Sequence, residues 1–164
     1  MYKLAVREVR TPVGPVRIYI MGIFPVRVTL GEEGPAIAPY ALRPPSLVSE
    51  MEGAIADYFS GGDISRELAL RLLEIDPHTP FEYAVYRRVI DIPRGETLSY
   101  GEVAEAVGRP RAARAVGNAM RSNLYPLFIP CHRVIRSGGG LGGFGGREEI
   151  KAALLRTEGI VVEP

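Results

Sequence analysis

The sequence predicts an α+β protein in two domains. A small α/β domain with an antiparallel sheet is expected over residues 1–78, and a mainly helical domain with a helix-turn-helix over residues 79–164. Three observations predict it. The first thirty residues hold β-branched stretches separated by Pro and Gly. The second half holds two capping boxes, each opening a helical pattern. The second of those helices is followed by a Gly-containing turn and then by a helix with one basic face. A chain of 164 residues, 46% of them hydrophobic, can bury a real core, which excludes wholesale disorder.

The elements follow in order. Tyr2–Val9, Val16–Met21 and Ile23–Leu30 read as short antiparallel strands, broken by Pro12, Gly14, Pro15 and Gly22. Gly31–Gly34 reads as a turn, and Pro44–Pro45 is incompatible with a strand interior. Ser46 is the expected cap of a helix whose apolar positions are Val48, Met51, Ile55 and Tyr58/Phe59, stopped by Gly61–Gly62. Ile64–Ile75 fits either a helix or a strand. Asp76–Pro77–His78 marks a boundary, because a residue before Pro resists the α region. No function falls to His78.

Thr79–Pro80–Phe81–Glu82 is a capping box with Pro at N1, so a helix runs from Pro80 to about Val89 and ends by Ile92–Pro93. Ser99–Tyr100–Gly101–Glu102 is a second box, opening a short helix that closes at Gly108. Arg109–Pro110 connects it to a third helix over Arg111–Arg121. On that helix Ala112, Val116 and Met120 share an inward face. Arg111, Arg114, Asn118 and Arg121 share the opposite one, and the small residues Ala115, Gly117 and Ala119 lie between. A thin, basic helix presented by a turn suits a DNA groove; an ordinary amphipathic helix is the plain alternative. A last helix covers Arg147–Thr157, with Ile150, Ala153, Leu154 and Thr157 inward, and ends at Glu158–Gly159.

Charge adds a direction. The net formal charge is only +1, but residues 1–80 carry eight Lys+Arg against ten acids, and residues 81–164 carry twelve against nine. From Arg109 to Arg136 there are six arginines and no acid. Such a segment can meet phosphates, or can be a solvated face. All but two of the basic residues are Arg, which favours phosphate contacts or reflects genome composition or a hot habitat. Met1–Arg10 lacks the uninterrupted apolar stretch of a signal peptide, and no apolar run approaches the roughly 20 residues of a membrane helix. A cytoplasmic protein with a reduced thiol and no membrane partner is expected.

The single Cys excludes an internal disulfide and any zinc site built on several sulfurs. Leu127–Phe128–Ile129, a buried strand or extended segment, leads into Pro130–Cys131–His132–Arg133. A lone Cys is usually a buried small hydrophobe. Here its neighbours suit a nucleophile: a thiol of pKa near 8.5 needs a base, His132 supplies one, and Arg133 favours the thiolate. In a regular strand adjacent side chains point to opposite faces. Cys131 and His132 therefore cooperate only if the chain turns there or a water bridges them, and the water bridge is the expectation. His132 needs a carboxylate to hold its tautomer. Glu158 is a candidate, because a carboxylate at a helix C-terminus opposes the dipole unless it has a partner; a solvated terminal Glu is the alternative.

Arg136–Gly146 holds seven glycines in eleven positions and formally matches G-x-G-x-x-G at Gly140–Gly145. Too little chain follows for a dinucleotide-binding unit, and no Walker Lys follows either. A loop that lets a flat ligand approach the backbone is the better reading, with Phe144 as a stacking surface. No cofactor is expected.

Three stretches together carry a family resemblance. They are Ile92–Pro93–Arg94–Gly95–Glu96–Thr97–Leu98–Ser99–Tyr100–Gly101, Ala112–Ala113–Arg114–Ala115–Val116–Gly117–Asn118–Ala119–Met120–Arg121 and Ile129–Pro130–Cys131–His132–Arg133–Val134–Ile135. In order, spacing and the Cys motif they closely resemble the O6-alkylguanine-DNA alkyltransferases. The resemblance covers about Phe81 to Val162. The N-terminal half is similar only through Thr11–Gly14 and Tyr58–Gly61.

The resemblance implies a winged-helix-like C-terminal domain that binds the minor groove of double-stranded DNA carrying O6-alkylguanine and flips the damaged base out. It implies irreversible, stoichiometric transfer of the alkyl group to Cys131, from O6-alkylguanine and also O4-alkylthymine, by a monomer. His132 would be the base through water, Glu158 its orienter and Asn123 a hinge. Tyr100 would donate toward the leaving guanine and contact the flanking phosphate. Arg114 would be the finger filling the gap, with Arg111, Ala115, Gly117, Asn118 and Arg121 at the DNA. Met120, Pro126, Arg133, Val134, Leu141, Phe144, Gly145, Gly146 and Lys151 would form the alkylguanine pocket.

Three departures stand out. Phe144 replaces a frequent Tyr, Gly145 replaces a frequent hydroxyl residue, and Leu124 replaces the usual Pro after the hinge. Some members bind zinc in the N-terminal domain, but the one Cys here is already assigned, so no metal is expected. The competing readings are a lesion sensor without transfer, a helix-turn-helix regulator with a thiol sensor, and a Cys-His hydrolase.

Overall fold

The computed structural model describes residues 3–31, 37, 39 and 45–162. The chain divides into two compact units between Ser65 and Arg66. The turn expected at Gly31–Gly34 and the start of the Pro44–Pro45 pair lie largely outside the described residues.

The first unit holds strands β1 (Leu4–Val9), β2 (Val16–Met21) and β3 (Phe24–Leu30), then helix α1 (Ser46–Phe59). The strands form an antiparallel sheet in the order β1-β2-β3, with Val9 opposite Val16 and Met21 opposite Phe24. Ile18, Ile20, Val48, Met51, Ile55 and Tyr58 are fully buried and form its core. Each such side chain contributes roughly 1.5–3 kcal/mol relative to exposure. An ion pair of 2.7 Å between Arg7 Nε and Glu52 ties β1 to α1. The cap of α1 differs from expectation: Pro45 stands at the N-cap, Ser46 is already helical, and no side chain caps the end. Proline's fixed φ suits the entry to a helix without a hydroxyl.

The second unit holds α2 (Arg66–Leu73), α3 (Pro80–Ile90), β4 (Leu98–Ser99), α4 (Tyr100–Ala106), α5 (Ala113–Arg121), a 3₁₀ turn (Cys131–Arg133), β5 (Val134–Ile135) and α6 (Glu148–Thr157). The ambiguous Ile64–Ile75 segment is therefore helical, burying Leu68, Ala69, Leu72 and Leu73. Because α2 packs on α3, the division between the compact units falls earlier in the chain, between Ser65 and Arg66, than the Asp76–Pro77–His78 boundary read from sequence. Both capping boxes form, Thr79 with Glu82 and Ser99 with Glu102. The turn between α4 and α5 starts from a left-handed Gly108 (φ 74°), where Arg109 N donates to Ala104 O and Gly108 N to Glu105 O. Those paired bonds end α4 sharply and redirect the chain into α5.

A short parallel pair joins β4 to β5, with Leu98 opposite Val134 and Ser99 opposite Ile135. It fixes the start of α4, and so Tyr100, beside the segment that follows Cys131. Among the described residues no helix is long and apolar enough to cross a membrane.

Candidate active site

Cys131 opens the 3₁₀ turn and is 5% exposed. The chain thus turns at the Cys-His pair, and the opposed geometry of a strand does not arise. Burial pushes the thiol pKa up, against the Asn123 side chain, the Lys151 charge and the backbone N–H groups of Cys131 and His132. At rest the thiol is protonated, and the groups around it are placed to receive negative charge when the proton leaves.

His132 is fully buried, and its Nε2 lies 2.7 Å from Glu158 Oε1. A carboxylate accepting from Nε2–H fixes the tautomer and leaves Nδ1 as the basic nitrogen. Burial lowers the imidazole pKa, aided by Arg133 and Lys151 and opposed by Glu158. Glu158 is the C-cap of α6, with a side chain that is 0% exposed. It also accepts from Arg133 Nε at 3.0 Å, from Arg133 Nη2 at 3.0 Å and from Gly95 N at 3.1 Å. Arg94 donates to Thr157 O at 2.9 Å, so donors and cations surround the negative end of α6.

Arg133 is placed differently from the sequence reading. Its guanidinium is buried on Glu158 and on Ile92 O, 2.7 Å from Nη1. A bidentate fork matches a carboxylate, so Arg133 holds the partner of His132.

Asn123 spans the loop that carries the thiol. Its Nδ2 donates to Ile129 O at 2.9 Å, and its Oδ1 accepts from Tyr125 N at 3.0 Å. Leu127, Phe128 and Ile129 are buried as expected, but they form no regular strand. The loop closes through a Pro126–Ile129 bridge, and Leu127 adopts φ 76°, an unfavourable backbone for a branched side chain.

Lys151 is a fully buried cation. Its Nζ donates to Val134 O at 2.6 Å and to the Tyr100 hydroxyl at 3.4 Å. It lies 5.6 Å from the Tyr100 ring centroid and 5.9 Å from that of Phe144. Burial brings its pKa down to about 8. Burial pushes the Tyr100 hydroxyl up, so it stays protonated. Gly142 has φ 71°, and a Cβ there would stand 2.7 Å from the Tyr100 hydroxyl, so only glycine fits. Leu141 and Met120 are buried, Pro126 and Phe144 half-buried, and Gly145 and Gly146 exposed.

On α5, Val116, Ala119 and Met120 face inward, while Arg114, Ala115, Asn118 and Arg121 are exposed. Ala119 thus belongs to the core face, and Arg111 precedes the helix, exposed. Gly117 abuts the Tyr100 ring. Sequence reasoning missed the β4–β5 pair, the Ile92 and Gly95 backbone partners, and the bond from Tyr125 to Asp76. None leaves a signal in one sequence, because each depends on residues brought together from afar. Among the described residues no cluster of His, Cys, Asp and Glu could hold a metal ion.

Residues 80–160 match the family model described as 6-O-methylguanine DNA methyltransferase, DNA binding domain. The methylated-DNA–protein-cysteine methyltransferase of Mycobacterium tuberculosis is 36% identical over 154 residues, covering 93% of this chain and 90% of that one. The chain belongs to the methylated-DNA–protein-cysteine methyltransferase family.

The constitutive family member of Bacillus subtilis is 41% identical over 114 residues, covering 69% of this chain and 67% of its own. Family resemblance extends to structure. The crystal structure of M. tuberculosis O6-methylguanine methyltransferase matches with a TM-score of 0.73 at 32% identity, covering 94% of this chain and 92% of that one. That protein is also known in complex with DNA. The segment matching the family's DNA-binding model runs from α3 beyond the end of α6, and so contains the Cys131, His132 and Glu158 cluster together with α5.

Proposed function

We propose that this protein repairs DNA by moving the alkyl group of O6-alkylguanine, and of O4-alkylthymine, irreversibly onto its own Cys131. The observation that carries the reading is the buried thiol on a turn beside a His132–Glu158 pair, in one compact unit with a basic helix.

The steps are those the family resemblance implies for these residues. Arg114 and its exposed neighbours Arg111, Asn118, Arg121 and Ala115 meet duplex DNA in the minor groove, and Arg114 fills the gap left by the flipped base. The guanine enters between the Gly-rich loop and the Cys131 turn, against Met120, Pro126, Leu141 and Phe144. A water passes the thiol proton to Nδ1 of His132, and Glu158 stabilises the imidazolium that forms. The sulfur attacks the alkyl carbon in line; the S–C bond forms as the C–O6 bond breaks, and the electron pair goes to the guanine. Tyr100 donates a proton to the leaving base, and solvent or the imidazolium restores it. The net result moves the thiol proton to guanine and the alkyl group to sulfur.

The thioether is no leaving group under mild conditions, so each molecule reacts once. Phe144 and Gly145 bring no hydroxyl, which leaves more of the donation to Tyr100. The protein acts as a cytoplasmic monomer.

The test is intact mass and peptide mapping after mixing with a duplex carrying one O6-methylguanine. The expected gain is one methylene on the Cys131 peptide, saturating at one per protein and absent in Cys131→Ser. Binding without any gain would sink transfer and favour a lesion sensor. Neither binding nor gain would overturn both readings.

A further inference from the structure

The alkyl-transfer chemistry leaves Tyr125 unused, yet this tyrosine is 2% exposed and its phenol is not idle. Its hydroxyl donates to Asp76 Oδ2 at 2.8 Å. Asp76 lies between α2 and α3, outside the loop that carries the thiol. We propose that Tyr125, anchored by Asp76, is a positioning residue for Cys131.

The path between them is continuous. Tyr125 N donates to Asn123 Oδ1 at 3.0 Å, and Tyr125 O accepts from Ile129 N at 2.9 Å. Ile129 O then accepts from Asn123 Nδ2 at 2.9 Å and from Cys131 N at 2.7 Å. Asp76 is thereby connected to the Cys131 amide through one side chain and one turn of backbone. The loop it holds contains Leu127 at φ 76°. A backbone in that region persists only when its surroundings over-determine it.

An apolar ring would fill the Tyr125 site equally well. The hydroxyl adds direction, because a buried phenol must be hydrogen-bonded and its partner here is a carboxylate. Burial first, then Asp76, pushes the phenol pKa up, so the donor keeps its proton.

The inference rests on the alkyl-transfer reading, and the full chain tests both. Single-turnover transfer from an O6-methylguanine duplex is measured at saturating protein, and affinity is measured separately on an unmodified duplex. Tyr125→Phe and Asp76→Ala are expected to slow transfer about tenfold each, as a small misplacement of a reacting atom does. Affinity should stay within about twofold, because the path carries position and not DNA contacts. The double variant should be no slower than either single one, because both break one bond. Asp76→Asn keeps an acceptor for the phenol and should restore most of the rate.

Transfer at the wild-type rate in Tyr125→Phe overturns the inference. So does a loss seen only in affinity, or a double variant whose defects multiply. If Tyr125→Phe does not fold, Asp76→Asn and Asp76→Ala decide: equal rates overturn the inference. Wild-type protein that transfers nothing overturns the proposed function, and this inference with it.

Discussion

Glu158 is placed at the end of α6 where the helix dipole disfavours it, and its carboxylate is nevertheless fully buried 2.7 Å from His132 Nε2. The bidentate Arg133 fork on the same carboxylate explains the placement. Arg133 offsets the buried charge, and His132 gains a fixed tautomer. The imidazole next to Cys131 in the chain is therefore held by a carboxylate that Arg133 keeps buried.

Removing that carboxylate separates two roles. Glu158→Ala removes the carboxylate that offsets the buried Arg133 charge, and the protein should lose about 3–5 kcal/mol of stability by chemical denaturation. Glu158→Gln keeps an acceptor for His132 and should fold. Its transfer should still slow by roughly one to two orders of magnitude in single-turnover assays, because the imidazolium loses its counter-charge.

The pH profile should have its acid limb below the ordinary histidine value of 6.5. Burial, with Arg133 and Lys151, lowers the His132 pKa, so the imidazole stays neutral and able to accept a proton at pH 6.5. Only further acidification protonates it and stops transfer. The linkage has a definite sign. Unfolded His132 binds its proton near 6.5 and the folded residue does not, so stability falls as pH drops from 6.5 toward the folded value. Transfer rates and melting temperatures between pH 5 and 8 check both, and a rate midpoint above 6.5 would contradict the site.

Gly142→Ala should displace Tyr100. The new Cβ would stand 2.7 Å from the Tyr100 hydroxyl, and φ 71° is strained for alanine. A cost of about 1–2 kcal/mol is expected in thermal denaturation. Transfer should drop well below wild type, and Tyr100→Phe on top of it should add little.

Arg114→Ala should leave folding intact, because the side chain is exposed on α5. Transfer from duplex DNA should fall at least about tenfold, whereas transfer from a free O6-alkylguanine base should be unchanged, since no gap in a duplex needs filling. Equal losses on both substrates would remove Arg114 from the DNA.

Much of this protein is local and so was legible in its sequence. Thr79 with Glu82, and Ser99 with Glu102, start α3 and α4 because each bond joins residues three apart. The Cys131–His132 pair, the basic face of α5 and the three N-terminal strands were visible for the same reason: adjacency and short periods carry them. The cap of α1 and the start of α5 were misplaced by a residue or two, where a neighbouring residue takes the terminal position.

What the tertiary structure alone decided are the relations between distant segments. Arg133 settled where Glu158, twenty-five residues on, and Ile92, forty-one residues back, offered a buried guanidinium its acceptors. Lys151 became a buried cation because the Val134 carbonyl and two aromatic rings receive it. Sequence determined which groups the site contains, since chemistry belongs to residue types. Packing determined which of them meet, because a buried charge settles wherever the fold supplies its partners.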